Sequence, residues 1–468
     1  MSAIQSPYGS GSLPGVYTVT EYGAKGDGTT DDTAAIQACV NACVTAGGGV
    51  VYLPPGTYAV SSTITVPQNS YTVAGSSPAI GQAGPVIFRG AGFRQDGYFA
   101  NSKFATVVMA KALAGDMFST AQGNGHVFSM VAFEDMSIYG NYPALGATQT
   151  SGNLIHIYAW QEGWIRNVEV LGAYADGIRA ENNTGGQTIN GSAPVIDTCR
   201  VEHCGPGAAG GSSYGNGITF IGVVMGTVVN CHVESCYDGV AILNLANQST
   251  VMNCSLQSNY DCGINISGAE CSAVGNWSGG NHAAGILVQG ASGNPAVRAV
   301  ISGNEVIGNG YTGSSASPYG IWLDNTIECV VTGNRCSDGG LGYQQYGISE
   351  QGSSSNSNLV TGNNLLGNTV AAVDGPVGAA SVFSGNLGYN PVGAETVAVP
   401  ASGSATTAVQ HDRTFYVTAA SSGTTSIAIS GGPTVTIPAS ALAAVTVPAG
   451  QTLTPTYTAA PTWVVEGL

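Results

Sequence analysis

Three stretches decide the fold: Cys199-Arg200-Val201-Glu202-His203-Cys204, Cys231-His232-Val233-Glu234-Ser235-Cys236 and Cys254-Ser255-Leu256-Gln257-Ser258-Asn259. The same frame continues in Asn276-Trp277-Ser278, Asn304-Glu305-Val306, Asn334-Arg335-Cys336 and Asn363-Asn364-Leu365. A second strand opened by glycine accompanies them: Gly177-Ile178-Arg179, Gly217-Ile218-Thr219, Gly239-Val240-Ala241, Gly263-Ile264-Asn265, Gly285-Ile286-Leu287, Gly320-Ile321-Trp322 and Gly347-Ile348-Ser349. From Gly217 these glycines step by 22, 24, 22, 35 and 27 residues. A base period of this size is one coil of a solenoid, and the longer steps hold insertions. The expected fold is all-β, a right-handed parallel β-helix.

Alternation along each strand assigns the faces. Val201, Val233, Leu256 and Val306 point inward, as do Ile178, Ile218, Val240, Ile264, Ile286 and Ile321. One corner column reads Cys199, Cys231, Cys254 and then Asn276, Asn304, Asn334, Asn363. Stacked asparagines can satisfy one another and the turn backbone, so this column is read as structural. At the chain start, Thr33 to Thr45 carries a helical stripe of Ile36, Cys39, Val40 and Cys43, with Asp31 or Asp32 placed to cap it. A short helix there closes the open end of the first coil. Four segments are expected: a flexible stretch 1–16, a cap with first coils 17–130, the parallel β-helix 131–392, and a small antiparallel, sandwich-like β domain 393–468. Insertions at 181–194, 205–216 and 308–318 are expected to wall a groove.

Composition removes several function classes. Charged residues are 8% of the chain and the net charge is −16, with lysine only at 25, 103 and 111. Nucleic acid needs clustered Lys and Arg and is excluded as a partner. A polyanionic glycan is disfavoured without a screening metal ion or Arg cluster. No apolar run is long enough to cross a membrane, and no signal peptide is visible at the start. The 11 cysteines are odd in number and sit mostly at repeat positions. They are read as mostly free, buried thiols, which suggests folding in a reducing cytoplasm.

The stretches Tyr22-Gly23-Ala24-Lys25-Gly26-Asp27-Gly28, Thr30-Asp31-Asp32-Thr33 and Gly49-Val50-Val51-Tyr52-Leu53-Pro54-Pro55-Gly56-Thr57-Tyr58 resemble the N-terminal module of the pectate-lyase-like β-helix superfamily. That resemblance implies polysaccharide-active enzymes, among them phage tailspike depolymerases, glycoside hydrolases and lyases. Within it, Asp27, Asp31 and Asp32 belong to the fold-start pattern. The Asn-Thr-Asp, Gly-His-Gly and Arg-Ile-Lys triplets of the polygalacturonase branch are missing, and no Lys lies in the coils to serve as a lyase base. The ending Ala460-Pro461-Thr462-Trp463 is similar to terminal modules of phage tail proteins. A virion tail or extracellular setting and a homotrimer follow from the likeness, with outward Leu287 and Trp322 as the interface patch.

One outward column concentrates the scarce charges: Glu169, Arg200, His232, Ser255, Trp277, Glu305 and Arg335. Its neighbour holds Glu202, Glu234 and Gln257. Glycoside hydrolysis uses two carboxyl groups, one protonated and one ionised. Coils about 4.8 Å apart bring Glu202 and Glu234 to a retaining-type separation, and their mutual repulsion is expected to raise one pKa. Glu202 and Glu234 are therefore the expected catalytic pair, with Asp176 and Asp238 as second-choice carboxylates. Arg200, His232, Trp277 and Glu169 are the expected substrate contacts. No metal ligand set is expected: His156, His203 and His282 read as isolated residues. No cofactor is expected for a hydrolase, with Ca2+ reserved for a lyase reading using Arg200 as base. The competing readings are a solvated ladder of surface charges, and a receptor-binding or structural spike without catalysis.

Overall fold

A computed structural model describes residues 15–67, 84–93, 105–121, 130–141, 147–182, 191–205, 215–311, 317–378, 380–389, 398–406, 409, 413–448 and 450–467. The expected flexible start (residues 1–14 of it) and the central parts of the three insertions, 183–190, 206–214 and 312–316, lie outside the described residues. The fold is a right-handed parallel β-helix with one short helix near its start and small antiparallel sheets near its end. The chain divides into two compact units, residues 1–272 with 276–281, and residues 273–275 with 282–468.

The first unit begins with Gly15–Thr18 pairing in parallel with Gly49–Tyr52. Between them lies α1, Thr33–Thr45, which buries Ile36, Cys39, Val40 and Cys43. Of the two aspartates expected to cap it, Asp31 does so, accepting the Thr33 N–H at 3.0 Å. Asp32 turns the other way and accepts the N–H groups of Lys25 at 2.6 Å and Gly26 at 3.0 Å, which fastens the preceding turn. Gly48, just past the helix, has φ of +109°, and a Cβ there would stand 2.5 Å from the Gly84 carbonyl oxygen. Only glycine fits that crossing.

The coils then stack in the register the repeats predict. On one sheet Ile155, Ile178, Ile218, Val240 and Ile264 are successive partners, all buried. On the other, Val170, Val201, Val233 and Leu256 are successive partners, also buried. These are called below the isoleucine sheet and the valine sheet. Each buried aliphatic side chain contributes about 1.5–3 kcal/mol.

The corner before each isoleucine strand carries a polar ladder. Asp116 accepts the N–H of Asn153 at 2.7 Å, and Asn153 accepts that of Asp176 at 3.0 Å. Asp176 accepts that of Asn216 at 2.9 Å, Asn216 that of Asp238 at 3.1 Å, and Asp238 that of Cys262 at 3.0 Å. Each side chain thus satisfies the buried N–H of the coil above. Asp176 and Asp238, expected as spare catalytic carboxylates, are 4% and 3% exposed and serve this ladder.

In the second unit Ile286, Ile321, Ile348 and Val373 continue the same pattern of register. Leu287 is buried, so only Trp322 of the expected apolar interface pair reaches the surface. The asparagine column is a ladder here: Asn334 accepts the N–H of Asn304 at 2.9 Å, Asn363 that of Asn334 at 2.9 Å, and Asn386 that of Asn363 at 3.0 Å. Side-chain amides repeat the chain at 2.9, 2.9 and 2.8 Å. The residue before each rung adopts positive φ; it is glycine at 303, 333, 362 and 385, against Thr198, Asn230 and Asn253 before the cysteine rungs of the first unit.

Near its end the chain forms two three-stranded antiparallel sheets. Arg413–Thr418 lies between Leu442–Val447 and Thr462–Gly467, and Thr425–Ile429 lies between Thr434–Ile437 and Leu453–Tyr457. Phe415, Val417, Ile427, Val445, Val447, Leu453 and Trp463 form their core. The Leu453–Tyr457 strand is not foreseen from sequence because Pro455 interrupts it. Among the described strands it pairs only with Thr425–Ile429, and an edge strand tolerates proline.

Replacing Asn334 by Leu keeps the volume and removes the acceptor for a buried N–H. The expected loss is about 1–3 kcal/mol, read as a lower urea midpoint than wild type. An unchanged midpoint would mean that the ladder does not hold the coils together.

Candidate active site

The valine sheet places the expected residues as the repeats predict. Glu169, Arg200, His232, Ser255 and Trp277 are successive register partners, and so are Glu202, Glu234 and Gln257. His232 Nε2 lies 3.5 Å from Glu202 Oε1 and 3.1 Å from Glu234 Oε2. Arg200 Nε hydrogen-bonds to Glu202, and Gln257 Nε2 donates to Glu234 at 2.8 Å. One ligand atom each of Glu202, His232 and Glu234 lies within 4.8 Å of the others. No ligand motif in the sequence announced this group, because its members come from consecutive coils.

The expected electrostatics are reversed at Glu202. Burial pushes its carboxyl up, but hydrogen bonds from His232 and Arg200 outweigh it and hold the group below the usual range. The nearby cations cancel the repulsion that was to make a protonated acid. His232 is raised, first by its hydrogen bond to Glu202 and then by Glu234, against the opposing effect of burial. Glu169 is not an outward substrate contact. It is 3% exposed and accepts hydrogen bonds from Ser137 at 2.9 Å and Tyr139 at 2.5 Å, and burial raises its pKa. Trp277 is exposed in the same column as His232, two coils on.

The isoleucine sheet holds a second cluster that the sequence reading missed. His156 and Arg179 are register partners on its outward face, followed by Thr219. His156 Nδ1 bonds Asp116 Oδ2 at 2.8 Å, and Nε2 lies 3.1 Å from Glu181 Oε1. Nε2 makes no aligned hydrogen bond among the described residues. Arg179 binds Asp176 at 3.0 Å and Glu181 at 2.7 Å. The His156 ring also faces Tyr158, with centroids 4.3 Å apart. His156 is therefore not an isolated coil residue.

The corner ladder builds this cluster. Asp116 gives one oxygen to the Asn153 N–H and the other to His156. Asp176 divides itself in the same way between the Asn216 N–H and Arg179. Asn216 gives Oδ1 to the ladder and Nδ2 to Thr219. The ladder thus fixes the outward side chains at strand starts. Frame matching of Leu154-Ile155-His156 to Gly177-Ile178-Arg179 was the available signal.

Burial alone would lower His156, but its hydrogen bond to Asp116 and the Glu181 carboxylate 3.1 Å from Nε2 prevail and raise it above 6.5. Burial would raise Glu181, yet His156 and Arg179 bring it down to about 2. Burial, followed by the Glu181 and Asp116 charges, pushes the Tyr158 hydroxyl up to about 12. Asp238 sits higher on the ladder, and burial followed by the Asp261 charge pushes it up to about 7. The cluster thus favours a proton on His156 beside an ionised Glu181.

The fold and this charged outward face define a parallel β-helix protein of the pectate-lyase type. A family model described as rhamnogalacturonase A/epimerase, pectate lyase-like, matches residues 16–265, and the chain belongs to that family. A second model, periplasmic copper-binding protein (NosD), matches residues 177–381. Mannuronan C5-epimerase AlgE5 of Azotobacter vinelandii is 50% identical over 64 residues, which is 12% of this chain and 6% of that protein. Alginate lyase 7 of the same organism is 64% identical over 45 residues, 10% of this chain and 5% of that protein. The chain thus spans a small fraction of the curated relatives it matches. Among solved structures, the A-module of the A. vinelandii epimerase AlgE4 aligns with a TM-score of 0.56 and 18% identity, over 79% of this chain and all of that one. The Dettilon tailspike protein aligns with a TM-score of 0.58 and 15% identity, over 97% and 94%.

The charge state of His156 is directly measurable. By linkage, a raised histidine contributes stability that is full below its unfolded value of 6.5 and is lost as pH rises through its folded value. Glu181 contributes above its unfolded value and loses that contribution only as pH falls towards about 2. In an NMR titration the His156 ring protons should move with a midpoint above 6.5, and Glu181→Gln should lower it. A midpoint at or below 6.5 in wild type would contradict the clamp.

Proposed function

We propose that this protein modifies a polysaccharide by acid–base chemistry centred on His156, and that the reaction is glycoside hydrolysis. One observation carries the reading: His156 is clamped between Asp116 and Glu181 on an outward strand face, with its proton state and that of Glu181 pushed apart. Acid and base roles are assigned by such divergence. Asp116 occupies Nδ1 and orients the ring, and Nε2, buried and 3.1 Å from Glu181 Oε1, exchanges its proton with that more exposed carboxylate. In this scheme the proton held between Nε2 and Glu181 passes through the Glu181 carboxyl to the glycosidic oxygen as the C–O bond breaks. Glu181 takes a proton from the water that adds to the sugar carbon. Asp116, Asp176 and Glu181 outnumber His156 and Arg179, which favours a neutral or weakly acidic glycan over a polyuronate. Family membership supports a carbohydrate substrate.

A second reading, epimerisation or elimination at a uronate carbon, is favoured by Tyr158. Its phenol stands against the imidazole at 4.3 Å, so two proton carriers are available to one carbon. Glu202 and Glu234 offer oxygens within 4.8 Å of each other, but Glu202 is held ionised and His232 lies against both. We assign that group to binding at the surface.

A reducing-end assay on neutral and acidic glycans, run beside ultraviolet detection of unsaturated uronates and sugar analysis of the product, separates the reactions. New reducing ends without unsaturation support hydrolysis, unsaturation supports elimination, and changed sugar composition without cleavage supports epimerisation. On a cleaved or converted glycan, His156→Gln and Glu181→Gln should each lower kcat by about 10²–10⁴-fold. Glu202→Gln and Glu234→Gln should change it far less. The reverse pattern would move the chemistry to the valine sheet.

A further inference from the structure

The second unit carries an aromatic and polar cluster that the proposed reaction does not use. Trp322, Ser349 and Asp374 are successive register partners on the isoleucine-type strands of this unit, and Tyr319 and Tyr346 are partners nearby. Tyr319 lies 5.4 Å from Trp322 and 5.7 Å from Tyr346, centroid to centroid. The Trp322 indole N–H is buried without a hydrogen-bond partner among the described residues, at a cost of about 1–3 kcal/mol. The ring itself is partly exposed, so this tryptophan offers carbon surface outward and no donor.

Beside the rings stand two fixed acceptors. Gln351 Nε2 is shared between the Tyr319 hydroxyl at 2.6 Å and Asp374 Oδ2 at 2.9 Å. Ser349 Oγ donates to the same Asp374 oxygen at 3.2 Å. This leaves Gln351 Oε1 without a partner among the described residues, and the Asp374 carboxylate with capacity for a further donor, on side chains whose orientation is already set. Asp374 has no ion pair among the described residues, and neither has Asp324, the register partner of Gln351.

We propose that this cluster is a binding site for a neutral sugar unit. The C–H face of a pyranose lies on Trp322 and Tyr346, and its hydroxyls donate to Gln351 Oε1 and the Asp374 carboxylate. Free acceptors beside an unpaired carboxylate select hydroxyl donors and repel uronate or sulfate groups. The inference rests on the reading that the protein's substrate is a glycan, and adds the class of sugar and a place where it is held apart from the reaction.

Affinity electrophoresis of the full chain tests this, in gels containing dextran, glucomannan, galactan or polygalacturonate. Wild type and His156→Gln are run side by side, so retardation shared by both reports binding whether or not the assigned chemistry is right. At least one neutral polymer should slow migration. Trp322→Ala and Asp374→Ala should each weaken that retardation at least about fivefold, with partial retention in Trp322→Phe. Unchanged thermal unfolding of the variants separates lost binding from lost fold. The proposal fails if no neutral polymer retards the protein, if both alanine variants bind as tightly as their parent, or if polygalacturonate retards it through Trp322. Retardation by a neutral glycan in a protein without turnover on any glycan would leave this site standing and remove the catalytic reading.

Discussion

A chain that turns a corner every few residues must bury backbone N–H groups at those corners, and a single coil offers few acceptors to receive them. The structure meets that constraint by handing them to the neighbouring coil, some to its carbonyls and a regular series to its side chains. Asp116, Asn153, Asp176, Asn216 and Asp238 accept them at one corner, and Asn334, Asn363 and Asn386 at another. A one-residue slip would take every acceptor out of reach and turn every aliphatic side chain outward. The hydrophobic stacks give the coil its core, and the ladders hold the register in which those stacks exist.

The same constraint explains why chemistry gathers where it does. A carboxylate in the ladder has two oxygens, and the N–H above needs one. Asp116 spends its second oxygen on His156, and Asp176 on Arg179. Aspartate rungs therefore do two jobs, and asparagine rungs beside them keep the ladder from becoming a column of repelling charges. Where an aspartate is left with less compensation, as at Asp238 near Asp261, it titrates near neutrality. The arrangement of the outward face follows from which rungs are acidic.

Repetition made the fold legible in the sequence. Glycine spacing and the alternation around Val201, Val233 and Leu256 set the register, and with it the meeting of Glu202, His232 and Glu234. What repetition did not reveal was compensation: those three side chains meet Arg200 and Gln257 as well, and the repulsion that was to make an acid is neutralised. The His156 cluster was hidden for another reason. Asp116 and His156 are 40 residues apart, outside the regular period, and His156 follows an Asn-Leu-Ile sequence in place of the Asp-Gly-Ile that marks Arg179. The role of Asp176 and Asp238 was invisible for a third reason, since a carboxylate bonded to backbone leaves no trace in residue type.

The cysteines show how burial changes the meaning of a composition. All 11 are free and buried. Burial pushes Cys39 up to about 12 and Cys43, Cys271 and Cys329 up to about 11. Exchange with an oxidant proceeds through the thiolate, and access to the sulfur is also required. A thiol that is neither ionised nor reachable is kinetically silent towards oxygen, glutathione and its neighbours alike. For Cys39, Cys43, Cys271 and Cys329, burial opposes both ionisation and access. The cysteine count therefore stops reporting on the compartment in which the chain works and reports only on the space inside each coil.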